Sequence, residues 1–400
     1  MAFLDGIRVL TFTSGVAGPN AGRLLAQSGA EVIKFESLQG GLDSFRFFSP
    51  DGDIEASPRL VEANLNVLSA QLNLKSPKAL ELLKELVAKS DIVLDNFRPD
   101  VMPRLGLGYE DLRKIKEDII VIKMPGLGSD GPKAKYGSWG TTVMAYSGMT
   151  ALWNHPNQPH PIGTQTVYPD YEASTFAPMI ALSALLHRKR TGKGVFLDLS
   201  QGEMTAFLLG VSYLQAAVTG KDPLPQGNDR PYAAPHNAYR CQGEDRWCAI
   251  VVETEDQWHR FCDTIGRPEL ATDPRFATLA TRRANLGALD EEIGAWTKDH
   301  TPHEAMEILQ KASVPCGAVQ DGRDLFHDQH LRARGFVHEI DHLKLGHVAL
   351  SDIPIKTGKK GINLPVTNSV LGQHNAHVYG QILGYSPSQI AAWQEEGVIK

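Results

Sequence analysis

Short apolar runs alternate with helix-like segments through the first half of the chain, and that alternation restricts the fold more than any other feature. Ile7–Phe12 is an apolar run of strand length, a loop holding Gly15, Gly18 and Pro19 follows, Ala21–Ser28 reads as a helix, and Glu31–Phe35 reads as a second strand. The unit is β-α-β. Val67–Leu72, Asp91–Leu94 and Ile119–Ile122 continue the series as strands. Ser76-Pro77 has the form of a helix N-cap with proline at the first helical position, opening a helix with Leu80, Leu83 and Val87 on one face. A long helix is expected from about Tyr171 to Arg190, stopped by Thr191-Gly192-Lys193-Gly194, then a strand at Val195–Leu199 and a helix at Glu203–Val218. Alternation of this kind predicts an α/β fold, a parallel sheet with helices on both faces.

The texture changes after Lys221, where Pro223, Pro225, Gly227, Pro231 and Pro235 crowd together. The expected division is a large Rossmann-like domain over residues 1–222, a linker over 223–235, a smaller α+β domain over 236–334, and a return to the large domain over 335–400. In the small domain Trp247–Val252 reads as a strand, and Asp256–Thr264, Leu286–Thr297 and Pro302–Ala312 read as helices. Pro354–Lys360 and a helix near Ser386–Trp393 belong to the return.

Composition excludes several function classes. The net charge of −6 argues against a general nucleic-acid binder. No segment is apolar for long enough to span a bilayer, and the first residues carry no basic stretch followed by an apolar one, so a cytoplasmic protein is expected. Cys241, Cys248, Cys262 and Cys316 form no C-x-x-C pair and no zinc spacing, which fits a reducing compartment. No metal cluster and no prosthetic group are expected.

The first β-α-β unit, with Glu36 after its second strand, has the outline of a dinucleotide site. Gly15, Gly18 and Gly22 give G-x-x-G-x-x-x-G rather than G-x-G-x-x-G. A tight strand-to-helix turn is the better reading, and a phosphate-bearing ligand of another kind near this turn stays open.

Several segments, in order and spacing, resemble one known family. They are Leu4-Asp5-Gly6-Ile7-Arg8-Val9-Leu10, Ala17-Gly18-Pro19, Gly29-Ala30-Glu31-Val32-Ile33-Lys34, Asp95-Asn96-Phe97-Arg98-Pro99, Arg188-Lys189-Arg190-Thr191-Gly192-Lys193-Gly194, Leu331-Arg332-Ala333-Arg334-Gly335-Phe336 and Leu371-Gly372-Gln373-His374-Asn375. The chain resembles the class III coenzyme A transferases, the group of formyl-CoA transferase and the CaiB/BaiF proteins. The resemblance implies an acyl-CoA substrate, a carboxylic acid acceptor and a nucleophilic aspartate at the start of the long helix, here Asp170 in Tyr168-Pro169-Asp170-Tyr171. Read alone, Asp170 is a helix N-cap. A carboxylate is ionised at neutral pH and needs no base to act as a nucleophile. Glu172, one step further into the helix, reads as a solvated or substrate-facing side chain.

By the same resemblance Ser14, Gly15 and Val16 line the pantetheine arm of coenzyme A. Leu72, Lys75, Asn96, Phe97, Arg98, Val101, Arg104 and Lys135 match positions that hold its nucleotide and phosphates. Ser37 stands where some members carry a basic residue, and no glycine-rich closing loop is evident; Ala233-Ala234-Pro235-His236-Asn237 occupies that region. The resemblance also implies an interlocked dimer of ring-shaped chains, either a homodimer or a heterodimer with a related chain.

The alternative within the same fold is a 2-methylacyl-CoA racemase, which needs an acid–base pair. The histidine and acid of that pair align with Trp139 and Gly140, so the alternative is disfavoured. His155 and His160 lie further on in a proline-rich loop. A non-catalytic partner subunit is disfavoured by Asp170 itself. Trp139, Tyr146, Trp153, Tyr168 and Tyr171 crowd the catalytic stretch and favour a bulky acid, with aryl- or alkyl-succinate as acceptor and succinyl-CoA as donor.

Overall fold

The computed structural model describes residues 2–161, 163–164, 166–357, 360–361 and 369–400; part of the expected return segment Pro354–Lys360 therefore lies outside the described residues. Six strands, β1 (Arg8–Phe12), β2 (Glu31–Glu36), β3 (Leu68–Gln71), β4 (Ile92–Asp95), β5 (Ile120–Lys123) and β6 (Val195–Asp198), form one sheet. Their order is β3-β2-β1-β4-β5-β6 and every pairing is parallel. This is the expected α/β sheet, in the doubly wound order that reverses direction between β1 and β4.

Strand periodicity explains why both faces are covered. Leu10, Phe12, Ile33, Phe35, Val93 and Val121 enter one core, packed under the helix Pro77–Ala88 and the C-terminal residues Ile390, Trp393 and Ile399. Their neighbours Val9, Val32, Ile92, Leu94, Ile120 and Ile122 enter the other. Successive side chains point to opposite faces, so strands apolar at every position must be buried twice. The second core is closed by α1 (Ala17–Gln27) and a long helix from Tyr168 to Thr191. Ala173, Ala177, Ala181 and Ala184 form a small-residue stripe on that helix, and Ala17, Ala21 and Leu25 of α1 belong to the same core. Small side chains let the two backbones approach closely.

Some expected bounds shift. Helix α1 begins at Ala17 rather than Ala21, so Gly18 and Pro19 belong to its first turn. Proline there lacks only an N–H that would have had no partner. The segment read as one helix over Glu203–Val218 is two, Gln201–Leu208 and Gly210–Thr219. The break falls at Leu209 and Gly210, where glycine weakens helix continuity.

The chain divides into two compact units. One holds Met1–Thr150, Thr164–Asp222 and Gln329–Lys400. The other holds Ala151–Gly163 and Pro223–Asp328. Residues 151–163 thus pack with the second unit although they lie within the expected first stretch; Gly227 N–H donates to Asn154 O at 3.2 Å. The second unit is built on an antiparallel sheet of His236–Arg240, Trp247–Val251 and Cys316–Ala318. Its own core contains Trp258, Phe261, Phe276 and Ile293. Buried Arg282 stacks over Trp258 at 4.9 Å and pairs with Glu255 at 2.8 Å. No described helix is long and apolar enough to cross a membrane.

Candidate active site

Strands β1 and β4 are adjacent, and the order of the sheet reverses there. A crevice opens past the carboxyl ends of strands at such a point. The chain leaving β1 is Thr13-Ser14-Gly15-Val16 and the chain leaving β4 is Asn96-Phe97. They are tied together: Ser14 N–H donates to Asn96 Oδ1 at 3.0 Å and Asn96 Nδ2 donates to Ser14 O at 2.9 Å. Gly15 has φ +79°, a backbone setting that a side chain would strain. Fully buried Asp43 fixes this turn from the side, accepting from Gly15 N–H at 3.0 Å and Phe45 N–H at 2.9 Å while pairing with Lys34.

Glu36, the ribose ligand of a dinucleotide reading, is engaged elsewhere. Both its oxygens bond Arg46 at 2.8 Å, and it accepts Asp43 N–H at 2.8 Å. Burial pushes its carboxyl up, but Lys34 and Arg46 outweigh that and hold it below its ordinary value.

A cavity of about 1040 Å³ occupies the crevice. Ser14, Gly15, Val16, Asn96, Phe97 and Asp170 all line it. Asp170 is not the N-cap of its own helix. That position is Val167, and Asp170 stands within the first turn. Its carboxylate faces the start of α1, where the nearby Ala17 N–H favours its ionised form. Ala17 is the first residue of α1, and Val16 before it provides no side-chain cap. The two helices start side by side, with Asn20 Nδ2 donating to Ser174 Oγ at 2.7 Å. Asp170 therefore places a negative charge near the start of α1, at the positive end of its dipole.

Burial dominates the carboxyl's acidity and lifts it to about 6, with the Ala17 N–H pulling the other way. The ordinary carboxylate value expected from sequence does not hold. At neutral pH Asp170 is still mostly ionised, and the higher value makes it a more basic, stronger nucleophile. Gly140 explains how the carboxylate fits. A Cβ on Gly140 would lie 1.8 Å from Asp170 Oδ2 and 2.7 Å from Val167 Cβ. The sequence reading treated Gly140 only as a missing acid; its function here is to leave room.

The other expected residues fall into three places. Leu72 is 2 % exposed inside the core, with its N–H bonded to Glu36 O at 2.8 Å, so its side chain presents nothing to a ligand. Lys75 is apart from the cavity lining, with Nζ donating to Gln39 O at 2.9 Å. Arg98 and Arg104 share Asp100, at 3.8 and 3.3 Å. Arg98 also donates to Lys135 O at 3.1 Å, and Val101 opens the short helical turn between the two arginines. This exposed basic cluster starts one residue beyond Phe97 in the cavity wall. Ser37 is buried and donates to Lys400 O at 2.7 Å. Glu172 does not line the cavity; Thr205 Oγ1 donates to it at 3.2 Å. Of the aromatic residues, Trp139 and Tyr171 line the cavity. Tyr146 stacks under Lys133 at 4.6 Å, and Trp153, His155 and His160 belong to the second unit. Sequence reasoning passed over Phe45, Phe48 and Arg59, which also line the cavity.

CoA-transferase family III matches residues 4–375. The chain belongs to that family. It is 32% identical over 399 residues to the succinyl-CoA–D-citramalate CoA-transferase of Chloroflexus aurantiacus, covering 99% of this chain and 98% of that one. It is 33% identical to the acetyl-CoA:oxalate CoA-transferase of Acetobacter aceti, covering 88% of each. A CAIB/BAIF family protein from Brucella suis superposes with a TM-score of 0.86 at 27% identity, covering 95% of this chain and 99% of that one. The protein is thus a class III CoA-transferase, and CoA thioesters are its substrates. Within this transferase's cavity, Glu62 is paired with Arg23 at 2.7 Å and Asp352 with His338 at 2.9 Å. Among the described residues, Asp170 is the lining carboxylate with no side-chain counter-ion.

Proposed function

We propose that this transferase moves coenzyme A from succinyl-CoA to an aryl- or alkyl-succinate, with Asp170 carrying the acyl and CoA groups in turn. The reading is carried by Asp170: a desolvated carboxylate in a large cavity, with no side-chain counter-ion among the described residues and a helix N–H nearby. Asp170 attacks the donor thioester carbonyl, forms a mixed anhydride and releases CoA thiolate. The thiolate attacks the Asp170 carbonyl, freeing the donor acid and leaving an aspartyl-CoA thioester. The acceptor carboxylate displaces the thiolate, forming a second anhydride. The thiolate then takes the acceptor's acyl carbon and restores Asp170. Each step passes through an oxyanion, and the Ala17 N–H beside the carboxylate is a candidate donor to it. Trp139 and Tyr171 beside it support a bulky acceptor, and the D-citramalate transferase supports succinyl-CoA as donor. A racemase would need a proton carrier where Trp139 and Gly140 stand, and neither side chain can serve. Hydroxylamine added with succinyl-CoA should leave a hydroxamate on Asp170; turnover that is insensitive to hydroxylamine and leaves Asp170 unmodified would contradict the reading.

The basic cluster, and Lys75 apart from it, are assigned to the coenzyme A phosphates. Ser14, Gly15, Val16, Asn96 and Phe97 are assigned to the pantetheine arm and the nucleotide. Removing Arg104 or Lys75 should raise KM for acyl-CoA several-fold to about tenfold, since both are exposed, with kcat nearly unchanged. Unchanged KM in both variants would remove them from the site. We also assign the protein to the cytoplasm and to an interlocked dimer of ring-shaped chains. The helix Gly210–Thr219 supports the dimer: none of its side chains is buried, and Val211, Tyr213, Leu214 and Val218 are all exposed. Light scattering should return twice the mass of the chain; a monomeric mass would refute the dimer.

A further inference from the structure

The cavity carries more positive charge than the chemistry above uses. Among the described residues two arginines line it, Arg23 and Arg59. Arg23 is spent within the protein. It is 7 % exposed and donates to Gln27 Oε1 at 2.9 Å, to Glu62 Oε1 at 2.7 Å and to Ser351 Oγ at 3.0 Å. The lining acids other than Asp170 are spent as well, Glu62 on Arg23 and Asp352 on Gln27 and His338.

Arg59 is different. Its guanidinium lies 5.1 Å from the Phe48 ring centroid and 5.9 Å from that of Phe45. Those two rings meet edge to face at 5.7 Å. Among the described residues, none forms an ion pair with Arg59. Its place in the helix adds to the cost. The helix Pro58–Ala63 starts at the Ser57 cap with Pro58 in its first turn, so Arg59 stands beside the positive end of the helix. Helix electrostatics disfavour a cation there. The aromatic faces hold the flat guanidinium while leaving its N–H edges free for a planar anion.

We infer that Arg59 recognises the free carboxylate of a dicarboxylic acyl group, the end remote from the carbon that Asp170 attacks. The inference rests on Asp170 being the nucleophile, because the acyl group then lies in the cavity that Arg59 shares. A phosphate of coenzyme A is the other anion that this guanidinium could bind. The acyl end is favoured because the cations assigned to the phosphates, Arg98 and Arg104 at Asp100 and Lys75 at Gln39, all stand apart from the cavity lining. Arg59 is then a specificity determinant for this reaction, selecting acyl groups that carry a second negative charge.

The test measures binding in a protein that does not turn over. Calorimetry on the Asp170→Asn variant compares succinyl-CoA with butyryl-CoA, which has a methyl where succinyl has its free carboxylate. Succinyl-CoA should bind roughly 10- to 100-fold more tightly, as for a charge-assisted pair. Adding Arg59→Gln should erase that difference, lowering succinyl-CoA affinity to that of butyryl-CoA and leaving butyryl-CoA unchanged. Arg59→Lys should recover part of it. Equal weakening of both ligands would mean that Arg59 holds the coenzyme, and an unchanged ratio would mean that it holds neither; either result overturns the inference. The reading of Asp170 is judged separately, by hydroxylamine trapping in the protein with Asp170 intact. Arg59 is exposed, so these variants are expected to fold, and melting temperatures check it.

Discussion

Asp170→Asn should lower turnover by on the order of 10⁴-fold or more while acyl-CoA still binds, because the amide keeps the shape of the carboxylate and loses the nucleophile. Glu172→Gln should be mild, since Glu172 bonds Thr205 and does not line the cavity. The same Asn variant should be more stable than the parent at neutral pH. Burial raises the folded-state value of Asp170 from 3.8 to about 6. Between those values the folded protein holds a proton that the unfolded chain gives up, so the parent loses stability as pH rises through that window. At pH 7 the full penalty is present, up to about 3 kcal/mol, and Asn removes it. Below about pH 4 the penalty is absent and the difference should close. Activity has the opposite trend. The free enzyme must ionise Asp170 to react, so kcat/KM should rise with pH and level off above about 6. Thermal melts and pH–rate profiles check both. An Asn variant that keeps more than a small fraction of the rate, or is no more stable at pH 7, would show that Asp170 is an ordinary structural acid.

Gly140→Ala should cost about 100-fold or more in kcat, although it adds a single methyl group. Gly140 has no positive φ, so its backbone accepts alanine, and the conflict is with Asp170 Oδ2 at 1.8 Å and Val167 Cβ at 2.7 Å. The carboxylate must turn away from the Ala17 N–H, or the first turns of both helices must separate. Either outcome misplaces the attacking oxygen. Gly137→Ala is the control, because a Cβ there meets nothing within 4 Å. Its activity should be unchanged. Wild-type activity in Gly140→Ala would mean that the carboxylate is not confined as described. A fall in melting temperature without a fall in the kcat of the folded fraction would reduce Gly140 to a packing residue.

How much of this was legible in the sequence depended on the range of the interaction. The sheet was legible because its signals are local. Strands such as Ile92–Asp95 and Ile120–Lys123 are short apolar runs, and alternation with helices makes them parallel. The start of α1 was misplaced because Gly18 and Pro19 read as a loop, although a first turn tolerates both. Asp170 is the opposite case. Its local signal, an acid near a helix start, points to a cap, and only the resemblance to a family assigned it chemistry. Its acidity is set by burial and by Ala17 on another helix, contacts that periodicity does not encode. Gly140 and Arg59 were missed for the same reason. One matters through what a Cβ would strike and the other through the absence of a partner. A local signal did exist for the Arg59 helix: Ser57-Pro58 repeats the cap-and-proline pattern recognised at Ser76-Pro77.

The most direct test of the account follows the oxygen atoms of Asp170. In the proposed sequence the donor acid leaves with one Asp170 oxygen, and the acceptor carboxylate returns one of its own. Wild-type protein is turned over with succinyl-CoA and an ¹⁸O-carboxylate acceptor, then digested, and the peptide holding Asp170 is weighed. The account predicts ¹⁸O in the Asp170 side chain after one turnover, approaching replacement of both oxygens after many, with none in Glu172. Turnover of labelled acceptor that leaves Asp170 unlabelled would show that the carboxylate never enters a covalent intermediate, and would contradict it.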